Sequence, residues 1–137
     1  MLGELHERYH RPIFIAETGA ENRIRASWFR YVCEETREAM QAGVPVQGIC
    51  LYPILNHPGW LDGRHCHNAL WDYADAEGNR KIYEPLAREL RRWQKVFQHR
   101  KNSGPHLATA SSAPEPESAF HKSKEGLSAF EFQISEL

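Results

Sequence analysis

Two short apolar runs, each followed by a stretch of helical period, limit the fold more than any other feature of the sequence. Residues 12–16 (PIFIA) and 46–52 (VQGICLY) are apolar on both faces, as in parallel strands covered on each side. Residues 22–42 carry a helical stripe of Ile24, Trp28, Val32 and Ala39, with Phe29, Cys33 and Met40 beside it, and end at a Gly43–Pro45 stop signal. Ile82, Leu86, Leu90, Trp93 and Phe97 recur at helical spacing and predict an amphipathic helix over 81–100, with Pro85 confined to its first turn. The order strand–helix–strand–helix demands parallel pairing through a right-handed crossover. Such a unit has open strand edges, so it is an α/β piece of a doubly wound sheet or of a (β/α)8 barrel. A whole barrel takes about 250 residues, and this chain has 137.

The remaining segments are of other kinds. Residues 2–10 read as a short helix broken by Arg11–Pro12. Residues 53–79 read as a long loop rich in His, Asn, Asp, Gly and Trp, and loops of that length inside compact domains usually carry function. Residues 1–100 therefore form the folded part. Residues 101–137 are dominated by Ser, Pro, Ala and Glu up to about 125, and are expected to be a disordered tail.

Charge and cysteine content exclude several functions. A formal net charge of −1 gives no reason to expect nucleic acid or an anionic membrane as partner. Three cysteines, with no C-x-x-C spacing, argue against a disulfide framework and fit a reduced, cytoplasmic setting. No apolar run approaches a membrane span, and the first residues lack the apolar core of a secretory signal. Cys33 and Cys50 read as small core residues. His57, His65, Cys66 and His67 invite a metal, but no fourth ligand stands at a convincing spacing, and a polar ligand loop explains them more simply. No cofactor or metal is expected.

Chemistry in either α/β architecture collects at the C-terminal ends of the strands. Glu17 lies just past the first strand; Tyr52, Asn56, His57 and Trp60 lie at and past the second. A carboxylate close to aromatic rings suits a carbohydrate, whose C–H faces stack on Trp or Tyr. The plainer reading of Glu17 is a charge at the start of the following helix, although Glu21 is the nearer capping candidate. Core packing is the plain reading of Trp71 and an even alternative for Trp60. Arg88, Arg91 and Arg92 read as a solvated helix face.

IAETG at 15–19 and GICLYPILNHPGWLDGRHCHNALWDY at 48–73 resemble the C-terminal part of glycoside hydrolase family 1, the β-glucosidases and 6-phospho-β-glucosidases. The resemblance covers about residues 1–100 and implies strands seven and eight of a (β/α)8 barrel. It implies that Glu17 is the nucleophile of retaining hydrolysis, that Tyr52 orients it, and that Asn56, His57, Trp60 and His67 meet the sugar. Thr18 stands where the family has Asn, Gly59 where it has the Glu that grips two sugar hydroxyls, and His57 where it has Asn. The acid/base Glu of the family lies on strand four, which this chain does not contain. The carbohydrate substrate and the missing N-terminal part of the barrel are the partners implied, and the isolated chain is expected to be inactive. The alternative is a non-catalytic barrel piece that binds a sugar or another chain.

Overall fold

The computed structural model describes residues 1–102, with side chains described to residue 99. The expected tail therefore lies outside the described residues, except for Lys101 and Asn102, which continue the last helix. The elements are α1 (Leu2–Tyr9), β1 (Ile13–Thr18), a short 3-10 turn (Asn22–Ile24), α2 (Arg25–Gln41), β2 (Val46–Leu51), β3 (Trp71–Ala74), β4 (Arg80–Ile82) and α3 (Glu84–Asn102). β1 and β2 pair in parallel, with Phe14 opposite Gly48 and Ile15 opposite Ile49. The α/β order expected from the sequence is thus present, with α2 as the crossover.

The core lies where α2 and α3 cover one face of this pair. Phe29 and Cys33 from α2, Ile49 and Leu51 from β2, and Leu86, Leu90, Trp93 and Phe97 from α3 form one buried cluster. At about 25 cal/mol per Å² of apolar surface, this cluster is the main source of stability. α3 buries the expected positions, while Ile82 belongs to β4 and precedes the helix. Arg88, Arg91 and Arg92 are exposed. Glu89 between them is buried, and its carboxylate accepts both Nε and Nη2 of Arg30 on α2. Cys33 and Cys50 are buried as expected, and burial pushes the Cys33 thiol far up.

Three expectations need correction. β2 is buried on nearly every residue, but β1 is not covered on both faces: Phe14 is 41% exposed, and Ala16 and Glu17 are exposed. One face of β1 has no cover, and its outer edge has no strand beside it among the described residues. The buried face of α2 is Arg25, Phe29, Cys33 and Thr36: Phe29 and Cys33 are buried as expected and Val32 and Met40 pack against the core, but Ile24 and Trp28 do not belong to that face. Ile24 and Trp28 are 60% and 41% exposed; Trp28 instead donates its Nε1–H to Thr18 Oγ1 at 2.9 Å. Finally, residues 53–79 are not one open loop. Asp75 Oδ1 accepts the N–H groups of Glu77 and Asn79, Gly78 takes φ 87°, and this turn joins β3 to β4 as an antiparallel hairpin. Trp71 lies on β3 at 37% exposure rather than packed in the core.

Gly19 marks the closest approach between the two strand ends. A Cβ there would collide with the backbone carbonyl of Tyr52. That carbonyl is poorly free to move, because the Tyr52 N–H donates to Thr18 O at 3.0 Å and extends the parallel ladder. Gly19→Ala is therefore expected to cost about 1–3 kcal/mol, the range of overpacked sites, read as a lowered urea midpoint at constant slope.

Candidate active site

Glu17 is the penultimate residue of β1, and its side chain is exposed at the C-terminal edge of the parallel pair. Tyr52 and Pro53 follow β2 directly. Between them opens a cleft of about 300 Å³ lined by Glu17, Gly19, Ala20, Glu21, Tyr52, Pro53, His57, Trp60 and Asn68. That volume is at the lower end of small-molecule clefts. Glu17, Tyr52, His57 and Trp60 thus share one cavity, although they come from two separate stretches of chain, the end of β1 and the segment that follows β2. Trp60 is 85% exposed and takes no part in the core.

His57 has its tautomer set by its neighbours. Nδ1–H donates to the Pro58 carbonyl at 2.8 Å, which leaves Nε2 of the neutral ring to accept from the Asn68 amide at 3.5 Å. The His57 ring stands 6.2 Å from that of Tyr52. No hydrogen bond joins the Tyr52 hydroxyl to Glu17 among the described residues. Thr18, which replaces the Asn of the resembled motif, faces away from the cleft and accepts from Trp28.

Asn56 and His67 are not among the residues lining the cleft. Asn56 is 5% exposed, and its carboxamide is fully employed within the loop. Oδ1 accepts the N–H groups of Asn68 at 3.0 Å and Ala69 at 2.8 Å, while Nδ2 donates to Asp72 at 2.7 Å. His67 Nδ1 lies 3.3 Å from the same Asp72 carboxylate. The Asp72 carboxyl is held below its ordinary range, first by the Tyr73 backbone N–H, then by Asn56 and His67. Asn56 therefore knits the segment 67–72 into place behind the cleft, and Asn68 emerges from that segment into it.

Arg25 completes the knot. It is 8% exposed; Nε donates to Asn22 O at 2.8 Å and Nη1 to Ala69 O at 2.6 Å, and the guanidinium lies 3.6 Å over the Tyr83 ring. Sequence reasoning had no signal for Arg25, because a charged residue at the start of a helix ordinarily reads as exposed. Asn68 and Glu21 are likewise cleft residues; sequence reasoning assigned Asn68 no role and read Glu21 only as a helix cap.

Glu21 begins the 3-10 turn but makes no side-chain capping bond, contrary to its expected role. Its two carboxylate oxygens accept the Nη2 and Nη1 of Arg64 at 3.0 and 3.1 Å. The Arg64 contact, followed by that of Cys66, lowers the Glu21 carboxyl below its ordinary value. The His and Cys residues of the loop have separate partners for their polar atoms or share a ring: His65 stacks on Tyr73, His67 meets the same ring edge-on with its Nδ1 beside Asp72, and Cys66 Sγ–H donates to Arg64 O. No group of three or more His, Cys, Asp or Glu suited to a metal occurs among the described residues.

The fold has counterparts among solved structures. A hyperthermophilic β-glucosidase mutant, dodecameric in its crystal, superposes with a TM-score of 0.58 at 20% identity, over 65% of this chain and 20% of that chain. A β-glycosidase crystal structure superposes with a TM-score of 0.61 at 14% identity, over 85% of this chain and 26% of that chain. At these identities the likeness shows the fold: this α/β chain matches part of a β-glycosidase structure and spans a fifth to a quarter of its length. No family model and no curated protein matches the sequence.

Proposed function

We propose that the chain is the nucleophile-bearing part of a β-glucosidase-like retaining glycosidase of family 1 type, corresponding to strands seven and eight of its barrel. The observation that carries this reading is the shared cleft: an exposed carboxylate at a strand end, with Tyr52, His57 and Trp60 around it. In the reaction, a Glu17 carboxylate oxygen attacks the anomeric carbon as the bond to the leaving oxygen breaks. A proton from an acid outside this chain goes to that oxygen. Water activated by the same group then displaces Glu17 with a second inversion, so configuration is retained. Trp60 offers its ring face to the sugar, His57 and Asn68 offer polar groups to hydroxyls, and Tyr52 flanks the nucleophile. Asn56 and His67 act through the loop rather than on the sugar.

Glu21 shares the cleft with Glu17, yet it does not suit the acid. Its fork with Arg64 favours the ionised form, whereas a general acid must hold its proton near neutral pH. The second carboxyl, which retention places about 5–5.5 Å from the nucleophile, thus comes from elsewhere in the barrel. A non-catalytic sugar-binding piece is the second reading, favoured by this same want of an acid.

The purified 137-residue chain is expected to release no aryl alcohol from an aryl β-glucoside. Joined to a polypeptide that supplies the remaining strands, it is expected to turn over. Turnover by the isolated chain would overturn the division of the two carboxyls. A correctly folded joined barrel with no activity on any aryl β-glycoside would overturn the enzyme reading in favour of the binding one.

A further inference from the structure

The segment that carries Trp60 is well tied within itself and thinly tied to the body. Gly59 N–H donates to Arg64 O at 2.7 Å, Gly63 N–H to Gly59 O at 3.2 Å, and Pro58 bridges His65. Asp62 Oδ1 accepts the Arg64 N–H at 3.0 Å. A Cβ on Gly59 would meet the tip of that Asp62 carboxylate, so a larger residue there would push the Asp62 side chain aside. At its tip, however, Trp60 is 85% and Leu61 102% exposed. Neither side chain is anchored by burial, so the hydrophobic effect does little to fix the indole ring in space.

The side chain that reaches from this hairpin to the strand edge is that of Arg64; just beyond the hairpin, Cys66 also contacts Glu21 and the Asn22 N–H donates to His67 O at 2.7 Å. The Arg64 Nη1 and Nη2 grip both oxygens of Glu21, 43 residues away in sequence. Glu21 lies four positions after Glu17 and lines the same cleft. A planar guanidinium meeting a carboxylate through two parallel bonds fixes orientation as well as distance, which a lysine would not do. We propose that the Glu21–Arg64 fork is a latch that sets the position of the Trp60 ring relative to Glu17, making both of them positioning residues of the cleft. The proposal deepens the carbohydrate reading of the cleft and rests on it for its functional consequence. The raised Arg64 and lowered Glu21 proton affinities agree with a fork that keeps both charges.

A half-exposed pair of this kind shifts a local equilibrium only by about threefold. That is enough for a hairpin with no apolar anchor and too little to affect the fold. It is also screened by salt, so the latch loosens as ionic strength rises.

The test uses the full chain. The 15N relaxation of the Trp60 indole and of the 59–63 amides reports hairpin motion on the ps–ns scale. Arg64→Gln and Glu21→Gln are each expected to lower the heteronuclear NOE of these groups while the urea midpoint stays fixed. Arg64→Lys is expected to behave like Arg64→Gln. The exchanged pair, Glu21→Arg with Arg64→Glu, is expected to restore the wild-type NOE. An unchanged NOE in Arg64→Gln, or no recovery in the exchanged pair, overturns the latch. Titration with an aryl β-glucoside separates the latch from the reading it rests on. Where the latch and the carbohydrate reading both hold, Arg64→Gln weakens binding about threefold and Trp60→Ala weakens it more. If the NOE falls as expected but Trp60→Ala leaves glucoside affinity unchanged, the latch stands and the carbohydrate reading fails.

Discussion

Glu17→Gln, placed in the joined barrel of the proposed glycosidase, is expected to lower aryl β-glucoside turnover by at least about a thousandfold, as removal of a covalent nucleophile commonly does. Glutamine keeps the size of the side chain but lacks the charge and the free oxygen pair that attack the anomeric carbon. The fold should tolerate the change, because Glu17 is exposed and no core residue leans on it. The urea midpoint is therefore expected to stay within about 0.5 kcal/mol of wild type, as for other surface substitutions. Glu17→Ala adds a sharper reading. With the carboxylate gone, azide can enter the vacated space and displace the aglycone in one step, and a β-glycoside then yields an α-glycosyl azide. That product identifies Glu17 as the nucleophile. A β-glycosyl azide would instead assign it to the acid/base role, and full activity in Glu17→Gln would return Glu17 to the plain role of a charge near a helix start.

The largest expected effect on stability belongs to Asn56. Asn56→Ala strips two backbone donors, the part-buried Asn68 N–H and the buried Ala69 N–H, of their acceptor. It also takes the Nδ2 donor from Asp72. Leaving a buried polar group unsatisfied costs about 1–3 kcal/mol for each group. Some of that cost returns as water reaches the loop, so a loss of about 3 kcal/mol by urea denaturation is expected. Amide exchange should locate it: Asn68 and Ala69 lose protection before the α2–α3 core does. A loss below about 1 kcal/mol, with those two amides still protected, would show that the loop is held mainly by Arg25 and the β3–β4 hairpin. In a completed barrel the same variant is expected to raise KM more than it lowers kcat, since it unseats Asn68 and its contact with His57 without touching the nucleophile.

Much of this architecture is legible along the chain. Periodicity found both parallel strands, the crossover helix and the apolar stripe of α3, because each depends on residues close in sequence and on burial of one face. The rule that chemistry gathers at strand ends puts Glu17, Tyr52, His57 and Trp60 at one edge, and the cleft contains all four. Misreadings arose where distant segments compete for the same residue. Trp28 sits at a core period of α2, but the cover its face would need is absent from the described residues, and its indole N–H goes to Thr18 instead. Glu21 has the position of a cap and spends its carboxylate on Arg64. Asn56 has the position of a ligand contact and is buried by bonds to Asn68, Ala69 and Asp72.

The sequence by itself determined the βαβα order and the carboxylate at the end of β1, because strand and helix periods and the direction of a parallel crossover are local properties of the chain. Only the tertiary structure decided which polar side chains face the cleft and which hold the loop behind it. Hydrogen bonds and ion pairs spanning tens of residues, Arg64 to Glu21 and Arg25 to Ala69 among them, are chosen by three-dimensional proximity, and spacing along the chain carries no trace of them.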